Sequence, residues 1–334
     1  MRKMSYAGAI VEALRTSLSE DPTFSLVGSY VLGLGPKRIL MDSIRTEFPD
    51  RLYDPPTSEA AIVSIGAGAA MAGARPFVDI GTASFSYVGW SPMVNEAAVA
   101  RYMSGGSLRV PVVYHMLHGL RGGGAGQHSG SPQAMLWNAP GLEIVLPSSP
   151  YDVKGLMRSA IKSDNPTIFI NHARLMDIEG DVPVEDYTVP FGRADIKRAG
   201  RDVTLVATSF VVHAAMSAAE QLVADGIEVE VVDPRTLVPL DHKTILDSVY
   251  RTGRLVIIDE APLSCGVASE ISAIIAEEGF EYLRSPVVRV TRPDIPVPFS
   301  KPLEDAITPT ADKVIAAVRR IMDPRLKKSA PRLS

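Results

Sequence analysis

Apolar residues at Ala7, Ile10, Val11, Leu14 and Leu18 recur at helical spacing behind Ser5, which predicts a capped amphipathic helix near the start of the chain. Short apolar runs bounded by turn residues follow at 24–27, 75–80, 110–116, 142–146 and 167–170, and read as strands. Segments 93–102 and 151–162 have helical character, and 60–74 is a charge-free, Gly- and Ala-rich helix. Strands with little alternation, separated by helices, predict a mostly parallel sheet covered on both faces.

The pattern fails between 176 and 201, where charges and two Pro interrupt any period. It then resumes more cleanly. Strands are expected at 203–207, 227–232, 255–258 and 287–290, and helices at 212–225, 243–250, 267–278 and 312–321. The chain therefore reads as two α/β domains, 1–180 and 202–334, joined by a linker at 181–201. The last eight residues read as a frayed tail.

The length of 334 residues agrees with about two domains. Hydrophobic residues at 46% and charged residues at 22% exclude a disordered or fibrous chain. A formal net charge of −4 offers no reason to expect nucleic acid or a membrane surface as partner. Cys265 stands alone, which excludes a Cys-built zinc site and fits a reducing compartment, with the cytoplasm the expected location. Glu12 and Arg15 break the resemblance of the N-terminus to a signal peptide. As a helix, 60–74 spans only about 22 Å against the roughly 30 Å hydrocarbon core, so it reads as a helix buried in protein.

Three clusters invite a chemical reading. In Asp54-Pro-Pro-Thr-Ser58-Glu59, Ser58 can cap the 60–74 helix and Glu59 falls in its first turn. That carboxylate either stabilises the helix macrodipole, by about 0.3–1 kcal/mol, or sits partly desolvated with a raised pKa and exchanges a proton with a bound base. The Gly-rich stretch 117–129 follows a predicted strand and ends near His128, where a ligand loop with a proton shuttle and a flexible surface loop are both open. Segment 81–90 gathers Phe85, Tyr87 and Trp90, for which core packing is the commoner fate. His115 and His118 lack a third ligand for zinc and read as polar residues at the mouth of a site. No P-loop, dinucleotide fingerprint or G-x-S-x-G elbow is present.

The order of these landmarks resembles the β subunit of the heterotetrameric thiamine-diphosphate E1 enzymes, the family of the pyruvate, branched-chain 2-oxo acid and acetoin dehydrogenase components. The resemblance runs through PPTSEAAIVSIGAGAAMAGARP, RYMSGG, AGQHS, PGLEIVLPSSPYDVKGLM, AIKSDNPTIF, DVTLVATS, VVDPRTLVPLD and VTRPDIPVPFS. PSSPYDVKGL and DYTVPFG are most similar to acetoin dehydrogenase β chains. The resemblance implies a transketolase-like α/β fold: a pyrimidine-binding domain, then a C-terminal transketolase domain. It implies that Glu59 hydrogen-bonds N1′ of the thiamine aminopyrimidine, that Phe85 packs against that ring, and that His128 donates or accepts a proton during acyl transfer. It also implies thiamine diphosphate with Mg²⁺ as cofactors. The G-D-G…N motif for Mg²⁺ is missing, since Gly180-Asp181 runs into Val182. The metal is therefore expected on an α subunit in an α₂β₂ assembly, with a lipoyl-bearing E2 as acyl acceptor. The alternative is a carboligase or split transketolase without a lipoyl partner.

Some positions depart from the family habit. Ser29-Tyr30 replaces an acidic pair, and the aromatic segment reads TASFSYVGW. His115 replaces an Arg and His118 an Asn of pyruvate-type relatives, marking both as substrate-pocket candidates. A monovalent-cation (K⁺) site of some relatives corresponds to Ala160, Ile161 and Asn165, with Ser163 in place of the usual Asp.

Overall fold

The structure is a computed structural model that describes residues 1–28 and 36–323. Ser29-Tyr30 and the tail lie outside the described residues.

The first half runs β1 (Arg2–Ser5), α1 (Tyr6–Glu20), β2 (Phe24–Val27), α2 (Asp42–Glu47), β3 (Leu52–Tyr53), α3 (Glu59–Met71), β4 (Arg75–Thr82), α4 (Ala98–Met103), β5 (Val113–His118), α5 (Ala125–His128), α6 (Gln133–Trp137), β6 (Glu143–Val145), α7 (Pro150–Lys162), β7 (Thr167–His172) and β8 (Glu179–Val182). The second runs β9 (Asp195–Arg198), β10 (Val203–Ala207), α8 (Val211–Leu222), β11 (Val229–Asp233), β12 (Thr236–Val238), α9 (His242–Thr252), β13 (Leu255–Pro262), α10 (Val267–Glu278), β14 (Val288–Arg292), α11 (Lys301–Ile307) and α12 (Ala311–Met322). Ser5 caps α1 as expected, accepting the Gly8 N–H at 3.1 Å, a contribution of about 1 kcal/mol.

A seven-stranded sheet has the order β12-β6-β7-β5-β4-β2-β3, and a five-stranded sheet the order β14-β13-β10-β11-β9. Both are parallel except at one edge, where β12 and β9 pair antiparallel with β6 and β11. The patternless stretch 176–201 contains two strands: β8 pairs with β1, and β9 closes the second sheet. β12 was not foreseen. It lies in the second half of the sequence yet completes the first sheet, so the two units are stitched together by backbone hydrogen bonds. Lys197 adds an ion pair across the same junction, at 2.7 Å to Asp152, and lies 3.8 Å from Asp233 of its own sheet.

The strands β4, β5 and β7 are buried along almost their whole length, which explains their lack of polar alternation. α1 and α7 cover one face of the first sheet through Ile10, Leu14, Leu156 and Met157, packed on Phe77, Val113 and Phe169. The other face, with Val78, Tyr114 and Met116, packs against α3 and continues without a break into a core with Leu246, Ile257 and Ile271 of the second domain. α8 and α12 cover the outer face of the second sheet.

α3 is buried on one side only. Ile62, Val63, Gly66, Ala67 and Ala70 face the core, whereas Ala61, Ser64, Ile65 and Gly68 are exposed, Ile65 by 49%. Within this chain α3 is therefore buried along one face only, and its exposed stripe consists of small and apolar residues. The segment 93–102, expected as one helix, is a π-helical turn at Pro92–Ala97 followed by α4.

Gly66 marks the closest approach of α3 to the sheet, because a Cβ there would lie 2.4 Å from Val78 Cγ2. Gly68 has nothing within 4 Å of the same position. In urea unfolding of the isolated chain, Gly66→Ala is expected to cost about 1–3 kcal/mol through overpacking. Gly68→Ala is expected to be neutral or to stabilise by up to about 1 kcal/mol through helix propensity. Equal effects at the two positions would contradict this packing.

Candidate active site

Parallel pairing aligns the carboxyl ends of β4, β5 and β7, with Thr82 opposite Leu117 and His118 opposite His172. Ligand loops in parallel sheets leave from such ends. Beyond β4 a 3₁₀ turn, Ala83–Tyr87, carries Phe85. Beyond β5 the Gly-rich loop leads to α5, which ends in His128. The Phe85 and His128 rings meet edge to face with centroids 5.3 Å apart, and the Gly130 N–H donates to Ser84 Oγ at 3.2 Å. After Phe85 the chain presses onto the start of α3: a Cβ on Gly89 would lie 2.7 Å from Val63 Cγ2 and 3.4 Å from the Glu59 carbonyl oxygen. Phe85 and His128 thus face one another, and the chain that follows Phe85 packs on the first turn of α3, which carries Glu59.

Glu59 is half-buried and makes no side-chain hydrogen bond or ion pair with the other described residues. Ser58 occupies the N-cap position, but its side chain accepts no hydrogen bond, which corrects the expected cap. His128 is exposed. A free carboxyl at a positive helix end and an accessible imidazole are groups able to exchange protons with a ligand.

His115 and His118 do not share a pocket. They are three residues apart on a strand, so their side chains leave opposite faces of the sheet. His115 has no exposure and lies on the α1–α7 side. Its Nδ1 pairs with Asp79 Oδ1 at 2.9 Å and its Nε2 with Asn171 Nδ2 at 2.9 Å, while Asn171 accepts the Tyr6 hydroxyl at 2.5 Å. With Asn171 donating to Nε2, the ring proton sits on Nδ1 and goes to Asp79. His115 is therefore an interior bridge.

His118 points to the second domain. Its Nε2 lies 3.1 Å from Ser209 Oγ, just past the end of β10, and its ring meets that of His172 at 4.9 Å. Burial, reinforced by the neighbouring His172 and Arg121, pushes the imidazole down to about 3, so it is neutral at physiological pH.

Sequence reasoning missed the residues that line this seam. Glu260, at the end of β13, accepts the Leu120 N–H of the Gly-rich loop and His172 Nε2 at 3.1 Å. Burial alone would raise Glu260, but His172 and the Leu120 N–H outweigh it and hold the carboxyl below its usual range. His172 Nδ1 accepts the Arg174 N–H at 3.0 Å, which fixes the proton on Nε2. Glu304 of α11 accepts the N–H groups of Gly122 at 2.6 Å and Gly123 at 2.9 Å. His172 and Glu260 were legible as polar residues at the ends of apolar strand runs. Glu304, on a short helix, had no comparable mark.

The K⁺ candidate fits poorly. Arg75 Nη1 donates to the carbonyls of Ile161 at 3.1 Å and Ser163 at 2.8 Å, and Arg101 donates to Asn165 Oδ1 at 2.7 Å. The Ala160 carbonyl accepts the Ser163 N–H at 3.2 Å. Guanidinium groups thus already donate to the Ile161 carbonyl and the Asn165 side-chain oxygen. Among the described residues, no group of three or more His, Cys, Asp or Glu could hold a metal ion, and no helix is long and apolar enough to cross a membrane.

Comparisons with known proteins agree with this layout. The family model for the transketolase pyrimidine-binding domain matches residues 2–177, and that for the transketolase C-terminal domain matches 192–314. A split-gene transketolase, solved as an inactive β4 tetramer, superposes with a TM-score of 0.79 over 97% of this chain and 99% of its own, at 23% identity, a likeness of fold. The chain is a two-domain protein of the transketolase class, whose members use thiamine diphosphate. Its sequence is 40% identical to the acetoin:2,6-dichlorophenolindophenol oxidoreductase subunit beta of Cupriavidus necator, covering 96% of this chain and 98% of that one. It is 37% identical to the 2-oxoisovalerate dehydrogenase subunit beta of Bacillus subtilis (97% and 100% covered) and 37% identical to the pyruvate dehydrogenase E1 component subunit beta of Rickettsia felis (94% and 96% covered). It belongs to the family of E1 β subunits of the 2-oxo acid and acetoin dehydrogenases.

The neutral His118 has a measurable consequence. Unfolded, its imidazole takes a proton near 6.5; folded, only near about 3. Between these values the unfolded chain binds more protons, so stability falls as pH falls, approaching about 1.4 kcal/mol per pH unit for this group. Urea midpoints are expected to drop between about pH 6.5 and pH 4, and His118→Gln is expected to flatten that slope. An unchanged slope would contradict a neutral, buried His118.

Proposed function

We propose that this chain supplies the pyrimidine-side half of a thiamine-diphosphate site in an enzyme that decarboxylates a 2-oxo acid, or cleaves acetoin, and passes the acyl group to a lipoyl-bearing E2. The observation that carries this reading is the contact of the Phe85 ring with an accessible His128, next to a helix start whose Glu59 carboxyl is unpaired among the described residues. The named relatives, each a β subunit, support it.

When bound, thiamine diphosphate supplies an electron sink for the pair released as a C–C bond of the substrate breaks. Glu59 would hold a proton at N1′ of the aminopyrimidine. Its place in the first turn of α3, with no competing partner among the described residues, leaves the carboxyl free for that bond. Phe85 offers an apolar face for the same ring, and its contact with His128 sets how close the imidazole stands. His128 would give or take the proton of the substrate oxygen during acyl transfer.

The diphosphate and its Mg²⁺ need donors from elsewhere, consistent with an α subunit in an α₂β₂ assembly. The exposed stripe Ala61, Ser64, Ile65 and Gly68 on α3, beside Glu59, suits a close helix contact at such an interface.

In the αβ enzyme, Glu59→Gln is expected to lower turnover by about 10²–10⁴-fold without loss of assembly. Near-normal turnover would overturn the role given to Glu59. Acylation of a lipoyl domain by pyruvate, a branched-chain 2-oxo acid or acetoin is the expected activity. Product formed from two carbonyl substrates, with no lipoyl acylation, would point instead to a carboligase.

A further inference from the structure

We propose that Glu304 is a positioning residue for His128: its buried carboxylate, reaching from the second domain, holds the Gly-rich loop in the shape that sets the imidazole against Phe85. The proposal rests on the role given to His128 above.

Gly122 and Gly123 have φ of +80° and +90°, in the left-handed region open to glycine. Successive N–H groups in such a turn form a concavity suited to an anion. Here the chain fills that concavity itself. Glu304 Oε1 takes the Gly122 N–H at 2.6 Å and the Arg174 Nη2 donor at 3.3 Å, and Oε2 takes the Gly123 N–H at 2.9 Å. The carboxylate has no solvent exposure, so these donors are its compensation for burial. A loop that could be read as a phosphate cradle is therefore closed by an internal carboxylate.

The loop needs this anchor. Residues 126–128 are exposed, and the His128 N–H bonds to the carbonyl of Gly124, just before α5, at 3.1 Å. Glu260 secures the loop upstream, at Leu120, and Gly119 admits it there: a Cβ on Gly119 would lie 2.0 Å from His172 Nε2. Glu304 secures it immediately before α5. Between them, two carboxylates of the second domain fix the backbone that carries a first-domain imidazole.

Glu304→Gln keeps the shape but turns an amide NH₂ toward one backbone N–H, removing an acceptor. The test compares Glu304→Gln in the αβ enzyme with wild-type His128 and with His128→Ala, alongside hydrogen exchange of the loop amides 120–128. The expected results are faster loop exchange, a kcat about tenfold lower with KM unchanged, and little further loss in the His128→Ala background. The same loss in both backgrounds would overturn the proposal, since Glu304 would then act on something other than His128. Unchanged loop exchange would overturn it as well. If His128→Ala alone left kcat intact while Glu304→Gln still loosened the loop, the reading of His128 would fail and take the positioning role with it, leaving the clamp itself demonstrated. Should Glu304→Gln fail to assemble, Glu304→Asp, which keeps the charge and withdraws it by one methylene, serves in the same comparison.

Discussion

Parallel pairing is the constraint on which the site depends. It forces β4, β5 and β7 to end at the same edge, so the loops that follow them have no choice but to meet. The second sheet brings the ends of β10 and β13 to the same seam through Ser209 and Glu260. Polar groups collect there because strand ends are where apolar runs stop. Several find partners across the seam: His118 with Ser209, His172 with Glu260, and the Gly-rich loop with both Glu260 and Glu304.

The two domains are consequently not independent modules. One apolar core runs from α3 through the first sheet to α9 and α10, and β12 completes the first sheet with backbone from the second half. The second domain holds the site together without contributing Glu59, Phe85 or His128. On the opposite side of the first sheet, Tyr6, Asn171, His115 and Asp79 form an interior chain of hydrogen bonds that locks β4, β5 and β7 to α1.

Much of this was legible in the residues. Apolar runs located the buried strands, and Ser5 marked the start of α1, because periodicity and capping are local properties. Glu59, Phe85 and His128 were marked through motif resemblance, and the meeting of Phe85 with His128 follows from the pairing of β4 with β5. Alternation along β5 already separated His115 from His118 by face, a point the reading of both as pocket residues passed over. β12 was hidden because three residues have too little pattern to name a partner sheet. Glu304 was hidden because its role comes entirely from a contact with residues far away in sequence. Of the positions read as a cation site, the Ile161 carbonyl accepts from Arg75 and the Asn165 side chain from Arg101, contacts that spacing could not reveal.

The most direct measurement is the structure of the αβ complex with thiamine diphosphate bound. The expected result places a Glu59 carboxyl oxygen about 2.6–3.2 Å from N1′ of the aminopyrimidine, with the Phe85 ring against that heterocycle and His128 facing the reactive side. An aminopyrimidine seated away from the start of α3, with Glu59 buried instead in a subunit contact, would contradict a site built there.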